Sequence, residues 1–597
     1  MTMNRNIFII LILAVFFASC NDIFDPASEN NRGKNNIYSD PNFGQGLLTN
    51  GYARIPTTNW SFNDVATDDA VTNDNTNSYL KMATGQWTSN VNAVDQWSSC
   101  FSGIQYMNMF ITEVNKITFA DDNQTNTMFR DRLRGEAYSL RALLMYHLLQ
   151  AHAGWVNGKL LGIPIFLTEQ TVTSNFNLPR ADFNTCVAQI YQDMDSAKSL
   201  LPVDYVDVVS SAGIPSKYTA AGITDISKYN RVFGVKFIGR MSGRITKAIR
   251  AQVALLAASP AFANGTANGS NGKWEDAAIP AGDIITLKGG IAGLPATGLT
   301  WYANAAEISG LTNGANSPES LWRAGTSTDN TLEGNNFPPS LFGSGRINPT
   351  QNLVDAFPGA NGYPISDANS GYDNTKPYTN RDPRLQAYIV VNGSKAGVTQ
   401  AVINIASGND AVNAIQTSTR TGYYMRKLLR QDVNYNPASR NTQIHYKPRI
   451  RYTEIYLIYA EAANEAWGPM SDPKGYGFTA YDVIKAIRKR ALGLSSDPYL
   501  ESIKNDQVQM RQLIRNERRL ELCFEGFRFW DLRRWKVDIS VLAAPALGIT
   551  VSGIAPNQVV SNPVVVENRL YKNYMFYGPI PYGETLKWSN LIQNDGW

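Results

Sequence analysis

The chain has 597 residues, enough for more than one hydrophobic core, and 17% of them are charged, below the roughly 25% of an ordinary soluble domain. A net charge of +4 lacks the basic surplus that nucleic-acid binding draws on, so nucleic acid is excluded as a partner. The unusual counts are 29 tyrosines and 12 tryptophans, enough amphipathic rings to fill a core and leave some for exposed platforms.

In chain order, Arg5 and the apolar run 7–17 form the charged and hydrophobic parts of a secretory signal. It ends in Ala18-Ser19-Cys20, a small-small-Cys junction of the kind cleaved and lipidated in bacterial lipoproteins. The run is too short for a membrane span, which takes roughly 20 apolar residues. Two or three acyl chains on Cys20 would anchor the protein without crossing the bilayer. The predicted organisation is a signal peptide over 1–19, a lipidated flexible tether over 20–40 and a single domain over 41–597. Steps of three and four predict helices over 129–152, 183–201, 245–258, 452–466, 480–492 and 506–524. Ala460, Ala462, Ala463 and Ala466 suit close antiparallel packing, so the expected fold is mainly α, with tetratricopeptide-like helix pairs. The helical scaffold is read over 41–261 and 445–540. A loop-rich region over 262–444, rich in Gly, Asn, Ser, Thr and Pro with short β segments, interrupts it, and 541–597 is read as non-helical.

Cys100, Cys186 and Cys523 are left after Cys20, an odd number in helical surroundings that argues for small buried side chains rather than disulfides. The three histidines are His147, His152 and His445; the first two are five apart, and no H-E-x-x-H or paired-Cys spacing supports a metal. Loop carboxylates such as Asp68, Asp69 and Asp74 have the chemistry to take calcium, although turns and caps are the usual role of such clusters. No G-x-S-x-G or P-loop is present, so no cofactor is expected. Glu517, Glu521 and Glu525 repeat at four-residue spacing on one helix face. Like charges at that spacing need partners. Arg515, Arg518, Arg519 and Arg528 are at hand, which favours an ion-pair network over acid/base catalysis.

Four segments together resemble the SusD/RagB family of Bacteroidetes outer-membrane nutrient-binding lipoproteins. They are LIRNERRLELCFEGFRFWDLRRW (513–535), PIPYGETLKWSNLIQNDGW (579–597), Arg381-Asp382-Pro383-Arg384, and GEAYSLRALLMYHLLQAHAGWV (135–156) followed by GIPIF. Cys523 stands where Ala is usual, and Leu532-Arg533-Arg534 is more basic than is common. The resemblance implies tetratricopeptide-like helix pairs under a variable, loop-rich half. It also implies a non-catalytic protein that binds an oligosaccharide or polysaccharide, or in some members peptides. Such a protein is lipid-anchored on the outside of the outer membrane and serves a SusC-like TonB-dependent transporter. A surface glycoside hydrolase and a helical-repeat scaffold lipoprotein binding only protein partners are the competing readings.

A sugar ring offers an apolar C–H face to Trp or Tyr and hydroxyls to amides and charges. By that chemistry and by loose family position, Trp87 and Asn90 in Gly85-Gln86-Trp87-Thr88-Ser89-Asn90 are the first candidates for ligand binding. Trp60, beside Asn59 and Asn63, and Trp301 with Tyr302 in the variable region come next. Trp97, Trp155, Trp467, Trp530 and Trp535 lie in or beside amphipathic helices and are assigned to packing, as are Trp274 and Trp322 in framework-like segments.

Overall fold

The computed structural model describes residues 38, 40–311, 314–553 and 558–597. The expected signal peptide, Cys20 and nearly all of the expected tether lie outside the described residues. Helix outweighs strand 46% to 9%. The helices that carry the architecture are α1 (Pro41–Ala53), α2 (Trp97–Glu113), α3 (Asn123–His152), α4 (Phe183–Leu200), α5 (Gly243–Ala258), α6 (Trp274–Lys288), α7 (Pro383–Tyr388), α8 (Tyr452–Trp467), α9 (Ala480–Leu492), α10 (Gln507–Glu521) and α11 (Arg528–Arg534). Local chemistry sets their ends. Asp122 caps α3 by accepting from the Thr125 amide. Thr479 and Asp482 form a capping box on α9, and Gly493 ends it at φ 70°.

The long helices pack in succession, α1 on α2, α2 on α3, then α4, α5, α6 and α8, with α9 and α10 closing on α8. Close approach needs small residues: a Cβ on Gly103 of α2 would lie 2.6 Å from Leu144 Cδ1 of α3. Two readings of the sequence need correction here. Helix α6 falls inside the region expected to be loop-rich, hidden by Pro280 in its middle, and belongs to the scaffold. The segment expected to be non-helical holds a short helix, Tyr582–Lys587.

The strands pair two by two, all antiparallel. Ser320–Arg323 pairs with Pro448–Arg451, which brings together the two ends of the loop-rich half. That half has its own core, built on Trp301, Tyr302, Phe337, Phe357, Leu385, Tyr388, Tyr423 and Tyr446. Helix α10 serves both cores. Met510, Leu513 and Ile514 enter the scaffold core, whereas Leu520, expected on the same face, turns with Cys523 and Phe524 into the other. Cys100, Cys186 and Cys523 are free and buried. Among the described residues no helix is long and apolar enough to cross a membrane.

The motifs at 135–156 and 579–597 meet. Asn594 Nδ2 donates to the carbonyls of His152 and Gly578, and its Oδ1 accepts from Arg180. A Cβ on Gly154 would lie 2.6 Å from the Asn594 side chain, so only glycine fits at this turn.

Candidate functional site

The first-choice site residues do not present rings to solvent. Trp87 is only 2% exposed. Its indole packs on Trp597 (4.9 Å between centroids), Phe529 (5.9 Å) and Tyr571 (6.5 Å), and its Nε1 donates to Asn92 Oδ1 at 3.1 Å. Its sequence neighbours are polar, but the rings that bury it come from 440 residues and more along the chain, so Trp87 is corrected to a core residue. Asn90, three residues on, is exposed and stands apart from it. Trp301 and Tyr302 are 1% and 2% exposed and belong to the core of the loop-rich half. Trp60 is half-buried, edge-on to Tyr302 at 6.0 Å, with the Lys447 ammonium 5.5 Å from its ring centroid. The structure thus brings Trp60, Trp301 and Tyr302 together, away from the Trp87 cluster.

The three carboxylates of the signature are fully engaged, by partners mostly distant in sequence. Glu517 accepts from Arg384 and Arg488, Glu521 from Arg384 and Arg490, and Glu525 from Lys427 and Arg451. Burial pushes the Glu521 pKa up, but Arg490, Arg384 and Arg451 more than offset it, so Glu521 stays below the ordinary value. The nearby arginines do other work: Arg518 holds Asp531, while Arg519 and Arg528 hold Asp68 and Asp69. Those two aspartates, considered as calcium ligands, are thereby taken.

Two of the concavities on or beside the scaffold combine polar groups or rings in a way that bears on ligand binding. The first, about 160 Å³, opens at the seam between scaffold and loop-rich half. Its wall joins His147 and Gln150 of α3, Gln252 of α5, Glu454 of α8, Lys447, Arg449 and Trp530. His147 Nε2, Arg449 Nε, Glu454 Oε2 and Arg518 Nη1 are buried with no protein partner, so the wall of this cleft is polar. Burial lifts Glu454 to about 7, against Arg518 and the Gln252 hydrogen bond, and lowers Lys447 to about 8. Burial, helped by the Lys447 charge, drops His147 from 6.5 to about 3.

That last shift fixes a pH dependence. The unfolded chain takes a proton on His147 near pH 6.5, and the folded chain refuses it until about pH 3. The stability due to neutral His147 is therefore complete above pH 6.5 and is lost as pH falls toward 3. Glu454 and Asp64, both raised to about 7, act oppositely and stabilise the fold as pH falls from 7. A His147→Gln variant should gain on wild type by about 2 kcal/mol between pH 7 and pH 5. Denaturant melts at both pH values measure this, and a constant difference between variant and wild type would count against it.

The second concavity, about 350 Å³, is an aromatic groove. Five rings run along it in unbroken contact. Trp97 meets Phe101 at 4.8 Å, Phe101 meets Phe166 at 5.8 Å, Phe166 meets Phe176 at 6.4 Å, and Phe176 stacks on Trp588 at 5.8 Å and 26°. Phe176 is 38% exposed, and Phe101, Phe166 and Trp588 are half-buried. The Gln105 side chain clamps the Gln170 backbone, its Nε2 donating to the Gln170 carbonyl and its Oε1 accepting from the Gln170 amide (2.8 Å each), which fixes the Phe166 loop to α2, and Glu584 stands at the rim. Sequence reasoning missed all of this except Trp97, which it assigned to packing. The available signal was Trp588 itself, set between Lys587 and Ser589-Asn590.

Two family models match the chain. One, described as the SusD family, covers residues 316–597. The other, described as "Starch-binding associating with outer membrane", covers 42–224. The chain belongs to the SusD/RagB family. SusD-like protein P38 of Formosa agariphila is 31% identical over 146 residues; the match spans 23% of this chain and only 27% of that relative. A SusD-like protein from Bacteroides fragilis superposes with a TM-score of 0.70 at 22% identity, over 95% of this chain and 99% of its own. A laminarin-binding SusD-like protein superposes at 0.55 and 18% identity, over 94% and 100%. At these identities the superpositions speak for the SusD fold.

Proposed function

We propose that this protein is a cell-surface glycan-binding lipoprotein. It is anchored to the outer membrane through Cys20 and passes captured oligosaccharide to a SusC-like TonB-dependent transporter. The observation that carries the binding step is the unbroken run of rings from Trp97 to Trp588, with Phe176 and Trp588 reaching solvent. Apolar C–H faces of sugars stack on such rings, while amides and carboxylates at the edge bond the hydroxyls. The description of one family model as starch-binding and of one structural neighbour as laminarin-binding supports a glycan over a peptide. The signature carboxylates are each locked between cations, which removes them as candidates for glycoside hydrolysis.

Calorimetric titration with a panel of neutral oligosaccharides tests the reading. Trp588→Ala should weaken the binding of the recognised glycan by about tenfold or more, the effect of about 1.4 kcal/mol, with the melting temperature nearly unchanged. Equal affinity in variant and wild type would remove the groove from the site. Mild-detergent purification of a tagged copy from native membranes tests the delivery step; repeated recovery without a large β-barrel would count against it.

A further inference from the structure

The loop-rich half contains a third pocket, of about 310 Å³, walled by residues 299–303, the end of α7, residues 426–429 and Gln431. Unlike the seam cleft, its wall includes no aspartate or glutamate. It includes two cations. Lys427 is spent, its Nζ lying 2.7 Å from Glu525 Oε1 and 2.7 Å from the Glu521 carbonyl. Arg426 is not: among the described residues its half-buried guanidinium has no carboxylate or carbonyl partner, and burial alone pulls its pKa below that of an ordinary arginine. A cation drawn out of water without a counter-charge is costly.

Two further donors in the same wall are unpartnered, Trp301 Nε1 and the Tyr388 hydroxyl, on side chains at least nine-tenths buried. Burial, with Glu521 nearby, keeps the Tyr388 phenol protonated far above its usual range. The Trp301 ring does not offer a stacking face, since it is buried and the Arg451 guanidinium lies 4.5 Å from its centroid. The pocket is lined by the Arg426 side chain and by Trp301 and Tyr388, whose unpartnered indole N–H and phenol O–H are buried beneath its wall, with Gln386 exposed at its edge. That set matches an acceptor-rich oxoanion.

We propose that this pocket binds an anionic substituent of a saccharide, a carboxylate or a sulfate, at the unpaired Arg426 guanidinium beside Trp301 and Tyr388. The inference rests on the reading of the protein as a glycan binder, but it is independent of the aromatic groove.

The test is titration of the full protein with an oligogalacturonate, a sulfated galactan oligosaccharide and a neutral laminari-oligosaccharide, at low and high salt. At least one anionic ligand should bind, more weakly at high salt. Arg426→Gln should weaken it by about tenfold or more, as loss of a charge-assisted hydrogen bond does, and Trp588→Ala should leave it unchanged. The responding arm tells carboxylate from sulfate. Tyr388→Phe, which keeps the ring, should give a smaller loss in the same arm. Anionic binding that ignores Arg426→Gln overturns the inference. So does binding of the neutral ligand alone, sensitive to Trp588→Ala, which leaves the glycan reading standing. Failure of all three saccharides to bind would overturn both.

Discussion

An Arg384→Met variant should lose about 3–5 kcal/mol of stability, the cost of leaving buried carboxylates uncompensated. Arg384 and its three acidic partners are all wholly buried. Its Nη2 donates to Asp382 at 2.6 Å, and its Nη1 is shared between Glu517 at 2.9 Å and Glu521 at 3.0 Å. Methionine fills similar volume but offers no charge. Glu517 would still have Arg488 and Glu521 would still have Arg490, but Asp382 would keep no ion-pair partner among the described residues. Denaturant unfolding at pH 7 measures the loss. A midpoint near that of wild type at pH 7 would show that the network is dispensable.

Trp87→Ala should cost a comparable amount, about 3–5 kcal/mol as for other buried Trp→Ala changes, and should leave glycan affinity intact in the protein that still folds. The indole sits where Trp597, Phe529 and Tyr571 converge, and the Arg533 guanidinium lies 5.1 Å from its centroid. Removing it opens a void under the docked 594–597 segment. Paired thermal melts and titrations separate the outcomes. A variant that melts like wild type but binds tenfold more weakly would restore Trp87 to the ligand site.

Helices with regular apolar spacing were legible in the sequence because the period reports the buried face directly. The run read as 480–492 is helix Ala480–Leu492, and that read as 129–152 begins six residues earlier, at the Asp122 cap. The helices missed are those whose composition argues against helix. Gly44, Gly46 and Gly51 obscure α1, and Pro280 obscures α6. Packing against neighbours overrides propensity in both. The ion-pair role of Glu517, Glu521 and Glu525 was legible from their spacing, but their partners were not, since Arg384 lies 133 residues from Glu517. The candidate site was the least legible part. Local polarity around Trp87 says nothing of rings arriving from residues 529–597. The groove draws its rings from α2, the loop before α4 and the C-terminal segment, which no single window of sequence contains.

Helix α10 has one side in the scaffold core and the other in the core of the loop-rich half, and Glu517 and Glu521 on it, with Glu525 just past its end, are held by side chains from both. The variable half is therefore not a cassette that can be lifted from one member and set into another. A transplanted loop that arrives without its own counterpart of Arg384 or Lys427 leaves an acid in the recipient's interior with one fewer of its cations. An exchanged loop-rich half must therefore carry its share of the charge balance as well as its own core.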